Sequence, residues 1–220
     1  MLLASLAFGT RVDFKGVTTE GIERITLADI HAAADMGFRI KLLGVAQMTD
    51  EGLEQRMTPC LVPAGSPIGS LDGVTNAVQL EGSEVGSIFL QGPGAGAGPT
   101  ASAVMADVVD VARGLTGPAL GLPAAQLADA PRSGDVSPAA FYLRLSLKDR
   151  PGALAKIAAA LGEEGVSIHR MRQYDHDGEA APVLIVTHEA ARGAIDGALG
   201  RIGAMEESLG APVALRIEEV

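Results

Sequence analysis

Two periods of apolar and polar residues run along this chain, and the places where one gives way to the other mark its elements. Phe38, Ile40 and Leu42 alternate with Arg39 and Lys41, the period of two expected of a half-buried strand. Asp50-Glu51-Gly52 makes a turn, and 55–62 reads as a second strand, so a hairpin is expected. Pro59 and Pro63 cannot donate to a ladder, which pushes that second strand toward a sheet edge. Residues 74–80 and 87–90 are two further strands around a turn at 82–86, the second a short apolar run suited to burial.

Helical spacing appears first at 27–36. Thr26-x-x-Asp29 opens it like a capping box and Gly37 stops it. A second helix follows Pro99 and Thr100, with Thr100 the expected N-cap. Val104, Val108 and Val111/Ala112 line one side, and Gly114 is its stop. Met1 to Phe8, MLLASLAF, reads as the last two turns of a buried helix whose beginning is missing, because nothing polar or capping precedes it. Residues 11–20 read as a loop.

From 116 to 140 the chain carries Pro118, Pro123, Pro131 and Pro138 among Gly, Ser and Ala. Such a segment cannot hold regular structure for long and is read as an interdomain linker. Beyond it the pattern resumes as a strand at 141–147, a helix at 153–164 stopped by Gly165, strands at 166–174 and 182–188, a helix at 190–202 and a strand at 213–218. A polar turn, Asp175-His176-Asp177-Gly178, suits a hairpin between the middle strands. The order βαββαβ predicts a ferredoxin-like antiparallel sheet with both helices on one face.

Composition narrows the options. The 220 residues are 47% hydrophobic and 20% charged, which makes a globular chain. A net charge of -10 argues against a nucleic-acid partner, since phosphate binding needs a basic face. The single cysteine, Cys60, excludes an internal disulfide and a multi-cysteine metal site and fits a reducing, cytoplasmic compartment. No His partner near Cys60 marks it as a nucleophile. With no Trp and 3% aromatics, the core must be built from Ala, Val, Ile and Leu. No apolar run approaches the ~18 residues that span a bilayer, and 1–8 lacks the basic flank of a signal peptide. His31 is a lone helical histidine, read as a surface or satisfied residue rather than a metal ligand. Arg39 and Lys41 share one strand face, either solvated or able to meet an anion.

The stretch with the most chemistry in it is 84–115. Gly92, Gly94, Gly96 and Gly98 strip a loop of side chains between a strand and a helix N-terminus. Such a loop can bring backbone N–H groups close to an anion or a cofactor, or can simply be a tight turn where helix packs on strand. The spacing is neither G-x-G-x-x-G nor a Walker A loop.

At Asp149-Arg150-Pro151-Gly152, the turn into the first helix of the βαββαβ unit, residues 141–220 resemble an ACT domain. In that family Gly152, Ala153 and Leu154 would lie beside an amino-acid effector at a domain interface. Glycine allows close approach, and the helix N-terminus offers N–H groups to a carboxylate. A turn in a module that only dimerises is the other reading. The motifs LLASLAFGTRVD, GIERITLADIHAAADMGFRIKLLGVA, GSPIGSLDGVTNAV and QGPGAGAGPTASAVMADVVDVAR, in that order, resemble the C-terminal half of the homoserine dehydrogenase catalytic region.

The resemblance implies an α+β chain. Residues 1–115 would be a catalytic-domain remainder with a mixed sheet and helices, 116–140 a linker and 141–220 the ACT domain. It implies an NAD(P)-dependent enzyme interconverting aspartate semialdehyde and homoserine in threonine and methionine biosynthesis. Gly96 aligns with the glycine that touches the nicotinamide nucleotide. The family's Rossmann domain, catalytic lysine and substrate-binding acids would lie upstream of Met1, before the segment matching 2–9, so no catalytic residue and no metal ligand is assigned here. Lys15 and Lys41 do not sit in the matching place. The chain is therefore expected to be an N-terminally truncated form that is inactive alone and does not hold NADP or NAD by itself. It is expected to bind threonine or a related amino acid, to form a homodimer or higher oligomer in the cytoplasm, and to meet neither nucleic acid nor membrane. Two alternatives stand beside this: a non-enzymatic, threonine-sensing regulatory and dimerisation module, and a subunit that docks on a separate nucleotide-binding chain.

Overall fold

A computed structural model describes residues 1–174 and 178–220. Its helices are α1 (Leu2–Phe8), α2 (Leu27–Asp35), α3 (Ala97–Ala112), α4 (Ala153–Glu163) and α5 (Arg192–Gly203). Its strands are β1 (Thr18–Thr19), β2 (Phe38–Thr49), β3 (Gly52–Pro63), β4 (Thr75–Gly82), β5 (Gly86–Pro93), β6 (Phe141–Lys148), β7 (Ile168–Gln173), β8 (Ala180–Thr187) and β9 (Val213–Ile217). Of the turn expected at 175–178, residues 175–177 lie outside the described residues.

Seven strands form one mixed sheet in the order β1-β3-β9-β6-β8-β7, with β2 also paired to β3. The hairpin β2–β3 is in register from Phe38↔Pro63 to Thr49↔Gly52, closed by a two-residue turn at Asp50-Glu51. The C-terminal strands take the order β9-β6-β8-β7, all antiparallel, as the βαββαβ pattern predicts. The two parts of the chain share this sheet, because β3 pairs in parallel with β9 at Cys60↔Arg216 and Leu61↔Ile217.

Pro59 and Pro63 predict an edge position for β3, but β3 has neighbours on both sides. The Met57 carbonyl accepts from Glu20 N and the Leu61 carbonyl from Glu218 N. Residues two apart on a strand face the same way, so Pro59 turns its missing N–H to that same side. There it falls in the gap between β1, paired at Arg56 and Met57, and β9, paired at Cys60 and Leu61. A central strand tolerates the proline because no donor is required at that point.

Both faces of the C-terminal sheet are covered. Phe141, Leu143, Leu145 and Leu147 of β6 point toward α4 and α5 and pack with Ile157, Leu161, Ile195, Ala198 and Ile202. On the other face Tyr142 joins Leu184, Val186, Leu215 and Ile217 against Ala32 and Ala33 of α2. A helix from the first part thus closes the back of the ACT-like sheet. The capping box of α2 is present: Thr26 N donates to Asp29 Oδ2 at 2.8 Å while the Thr26 side chain accepts from Asp29 N.

Residues 116–140 contain one short 3-10 turn, Ala124–Gln126, and are fastened along the first part by isolated bridges Thr10↔Ala128 and Leu53↔Arg132. The strand start at Gly52 depends on this crossing. Its φ is +134°, and a Cβ there would meet the Pro131 carbonyl at 2.3 Å, so only glycine fits.

Four further expectations change. The first is the buried helix whose last two turns were expected at 1–8. Met1 is the exposed N-cap of α1 and makes no side-chain cap hydrogen bond. Leu2, Leu3 and Leu6 are more than half exposed, and within α1 only Ala4 and Ser5 are covered. The reason is packing: the apolar side chains of α1 outnumber the surfaces that meet it, so apolar composition alone did not report burial. The 11–20 loop contains β1. β5 is not a buried strand, since β4 and β5 pair only with each other as a separate ribbon. Its Ile88 and Leu90 are exposed. α3 begins earlier than expected, with Gly96 as N-cap, and Thr100 N donates to the Gly96 carbonyl inside the helix. Its C-terminus is a Schellman motif, with Leu115 N bonded to Asp110 O and Gly114 N to Val111 O. No residue of α3 is buried.

Candidate functional site

The residues singled out in the sequence fall on two separate units. Gly96 lies on the β4–β5–α3 arm. Gly152, Ala153 and Leu154 lie at the turn from β6 into α4. Met1, the boundary upstream of which the family's lysine and acids were expected, belongs to neither unit. Its main-chain carbonyl accepts from Ser5 N at 2.9 Å, a helical bond of α1 with no chemistry beyond it.

The glycine loop is a bare length of main chain. Gly96 has φ +112° and ψ 159°, a region essentially restricted to glycine. Cβ atoms added at Gly92 or Gly98 would meet nothing within 4 Å, whereas one at Gly94 would collide with Asn76 on β4. The loop therefore rests on the ribbon through Gly94 and leaves Gly96 and Gly98 open. Main-chain N–H groups at the start of the sixteen-residue helix α3 carry its positive dipole end. A flat, anionic group such as a nicotinamide nucleotide fits a surface of this kind, because no side chain keeps it away.

The turn into α4 has similar physics on a smaller scale. Gly152 is the N-cap, with φ +88°, and the space over it is open. Ala153 N donates to the Arg150 carbonyl at 3.2 Å. Ala153 is buried and Leu154 packs against the helix-side core, which fixes the first turn rigidly. No acidic side chain stands in the first turn of α4, so the helix places no carboxylate of its own against an incoming one. Lys148 and Arg150 flank it, both paired with Glu206, Lys148 at 3.1 Å. The Lys148 hydrogen bond, with these positive neighbours, holds the Glu206 carboxyl below its ordinary value.

Other sequence candidates take structural roles. Arg39 pairs with Asp72 at 3.7 Å, and Lys41 Nζ donates to the Leu71 carbonyl, so this strand face anchors the 71–72 loop. His31 is exposed on α2. Cys60 is fully buried, and burial pushes its thiol pKa up, which makes it inert.

Sequence reasoning missed two buried polar junctions between the two parts. In one, Asp29 Oδ1 accepts from the Tyr142 hydroxyl at 2.9 Å and pairs with Arg144 Nε at 2.7 Å. In the other, Arg56 pairs with Glu54 at 2.9 Å and with Glu218 at 2.8 Å. Arg216 pairs with Glu218 at 2.6 Å and Asp135 at 2.7 Å. The Ser137 hydroxyl donates to Glu54 at 2.7 Å. Burial pushes the Glu54 carboxyl up, but the Ser137 hydroxyl, Arg56 and the Ser137 N–H together hold it below its usual value. A signal was present: Glu54 and Arg56 share a strand face with Cys60 and Val62, and charges on a face that goes on to be buried need partners.

Comparison with known proteins places each of the two parts of the chain in a family. The homoserine dehydrogenase family profile matches residues 1–109 and the ACT domain profile matches 141–206. A homoserine dehydrogenase from Pseudomonas aeruginosa is 39% identical over 100% of this chain and 52% of its own length. One from Neisseria gonorrhoeae is 39% identical over 93% of this chain and 49% of its own. The chain spans about half the length of the curated relatives it matches. The crystal structure of a homoserine dehydrogenase from Thiobacillus denitrificans superposes with a TM-score of 0.90 at 37% identity, covering 99% of this chain and 51% of that one. A Staphylococcus aureus homoserine dehydrogenase, at 21% identity and TM-score 0.67, shares the fold. By its two profiles in this order and by its fold, the chain belongs to the homoserine dehydrogenase family, with an ACT domain following the part that matches the catalytic region.

Proposed function

We propose that this chain is the substrate-side and regulatory portion of an NAD(P)-dependent enzyme that interconverts aspartate semialdehyde and homoserine, in threonine and methionine biosynthesis. The observation that carries this reading is the bare loop at Gly96, set at the start of α3 in the segment that matches the dehydrogenase family. Bound there, the nicotinamide would supply the hydride. The chain's own contribution is positional: Gly96 and Gly98 let the ring approach the main chain, and the N–H groups opening α3 favour negative charge beside it. The loop itself, Gln91 to Gly98, carries no acid, base or lysine, so the chain alone is proposed to be inactive and to hold NADP or NAD weakly. Assaying the purified chain with homoserine and NADP tests this, and measurable turnover would refute it.

The ACT part is proposed to sense threonine or a related amino acid through Gly152, Ala153 and Leu154, in a cytoplasmic homodimer or larger oligomer. The open space over Gly152 and the rigid first turn of α4 support it. No described helix is long and apolar enough to cross a membrane. The same turn favours a second reading, a non-enzymatic threonine-binding and dimerisation module. Titration calorimetry with L-threonine, run beside the turnover assay, separates the readings. Saturable binding without turnover, persisting when the other half of a homoserine dehydrogenase is supplied in trans, favours the module. Turnover appearing on addition of that half favours the enzyme.

A further inference from the structure

The strongest unassigned feature is the buried charge cluster where β9 meets β3. Glu54 and Arg56 belong to β3, and Arg216 to β9. Glu218 follows β9 directly, and Asp135 and Ser137 come from the segment that joins the two parts. One oxygen, Glu218 Oε1, accepts from Arg216 Nε at 2.6 Å and forms an ion pair with Arg56 Nη2 at 2.8 Å. Each arginine also has a carboxylate of its own, Glu54 for Arg56 and Asp135 for Arg216. Without Glu218 the two arginines would keep locally neutral pairs linked only through Ser137, whose hydroxyl and N–H donate to Glu54 and whose carbonyl accepts from Arg216 Nη2 at 2.7 Å. With it, both guanidinium groups, each about 95% buried or more, also share one carboxylate oxygen and are joined charge to charge. The direct backbone pairing at this seam is short, Cys60↔Arg216 and Leu61↔Ile217, and Glu218 N adds a bond to the Leu61 carbonyl at 2.8 Å. The Arg216 guanidinium also lies 5.9 Å from the centre of the Phe141 ring, on the strand that leads into the Gly152 turn. Continuous side-chain contact therefore runs from that turn's strand, through Arg216 and Glu218, to the central strand of the first part.

We propose that Glu218 is the coupling residue between the two parts, making β3 and the ACT sheet open as one cooperative unit, so that an amino acid held at the Gly152 turn also tightens β3. The second half of this statement rests on the effector reading above; the first half does not. Low-dielectric surroundings strengthen such a bridge and make its members interdependent.

The test is hydrogen exchange on the full 220-residue chain, comparing wild type, Glu218→Gln and the exposed control Glu219→Gln. The glutamine variant keeps shape and leaves each arginine its own carboxylate, so the fold survives. Without ligand, Glu218→Gln should speed exchange in β3 about tenfold and leave β6 and β8 within about twofold of wild type, while Glu219→Gln changes neither. Unchanged β3 exchange, or equal acceleration in all three strands, would overturn the proposal. With saturating L-threonine, wild type should gain protection in both β6 and β3, and Glu218→Gln in β6 alone. Ligand protection of β3 that survives the substitution also overturns it. If threonine protects nothing in wild type, the effector reading fails, and the ligand-free comparison still decides the coupling.

Discussion

The Tyr142 hydroxyl donates to Asp29 Oδ1 at 2.9 Å across the back of the shared sheet, joining the first turn of α2 to the first strand of the ACT domain. Both side chains are fully buried. Asp29 does three things there: it closes the capping box of α2, receives Tyr142 and pairs with Arg144. Burial, together with the negative charge of Asp29, pushes the Tyr142 hydroxyl far above its usual pKa, so it remains a donor at every physiological pH.

Tyr142→Phe removes one donor to a buried carboxylate that keeps Arg144 and Thr26. Hydrogen bonds to charged groups are worth roughly 1.5–3 kcal/mol, so a loss of about 2 kcal/mol is expected. Asp29→Ala removes the side-chain half of the capping box and the carboxylate partner of Arg144 together with the Tyr142 acceptor, and should cost about 3 kcal/mol or more. Urea denaturation followed by circular dichroism measures both. Equal stability of wild type and Tyr142→Phe would show that the bond contributes nothing to holding the two parts together.

Much of this fold was legible in the sequence. The Thr26–Asp29 box, the hairpin at Asp50-Glu51 and the βαββαβ order each rest on local signals, a cap, a two-residue turn and a period, which need no knowledge of distant residues. Where reading failed, the cause was non-local. Pro59 forces an edge only where a neighbouring strand would need its N–H, and in the gap between β1 and β9 no acceptor needs one. Ile88 and Leu90 are apolar as a buried strand would be, yet their ribbon pairs only with itself. The helix after Met1 is apolar in the same way, and its leucines face outward. For the candidate sites, glycine spacing pointed to the loop at 92–98 and the ACT resemblance to the turn at Gly152, but the charges of Glu54, Arg56, Arg216 and Glu218 lie up to 164 positions apart in the chain. Their meeting is a product of topology alone.

Acid should loosen the β3 junction in a definite direction. The Glu54 carboxyl is held below the ordinary glutamate value of 4.5, so the unfolded chain takes up its proton first as pH falls. The stabilisation from Glu54 is complete above that ordinary value and is lost as pH drops through the folded-state value beneath it. Glu54→Gln should therefore be less stable than wild type at pH 7, with the gap narrowing below about pH 4.5. Denaturant midpoints for the two proteins across about pH 3–7 measure this, and a gap that widens toward acid would contradict the assignment.

Gly96→Ala should have a strictly local effect. An L-residue at φ +112° costs of order 1–3 kcal/mol, but no residue of α3 is buried and the ribbon before it stands apart from the main sheet. Exchange at the amides of 97–104 should therefore quicken by about tenfold or more, while the urea midpoint of the seven-stranded sheet stays put. A global loss of stability would mean that the arm packs on the sheet more firmly than its exposure indicates.

Gly152→Val tests the effector turn against a purely structural one. The left-handed φ of +88° penalises any L-residue by about 1–2 kcal/mol, and more for a β-branched one. For a chain of this size that amounts to a fall in Tm of roughly 2–8 °C. A Cβ at Gly152 would meet nothing within 4 Å, so the valine side chain starts into open space. It would occupy the approach of a carboxylate to the first N–H groups of α4. L-threonine affinity measured by calorimetry at about 20 °C, where the variant remains folded, should then drop at least tenfold. Retained affinity in a folded Gly152→Val chain would place the amino acid elsewhere and leave this glycine a turn residue only.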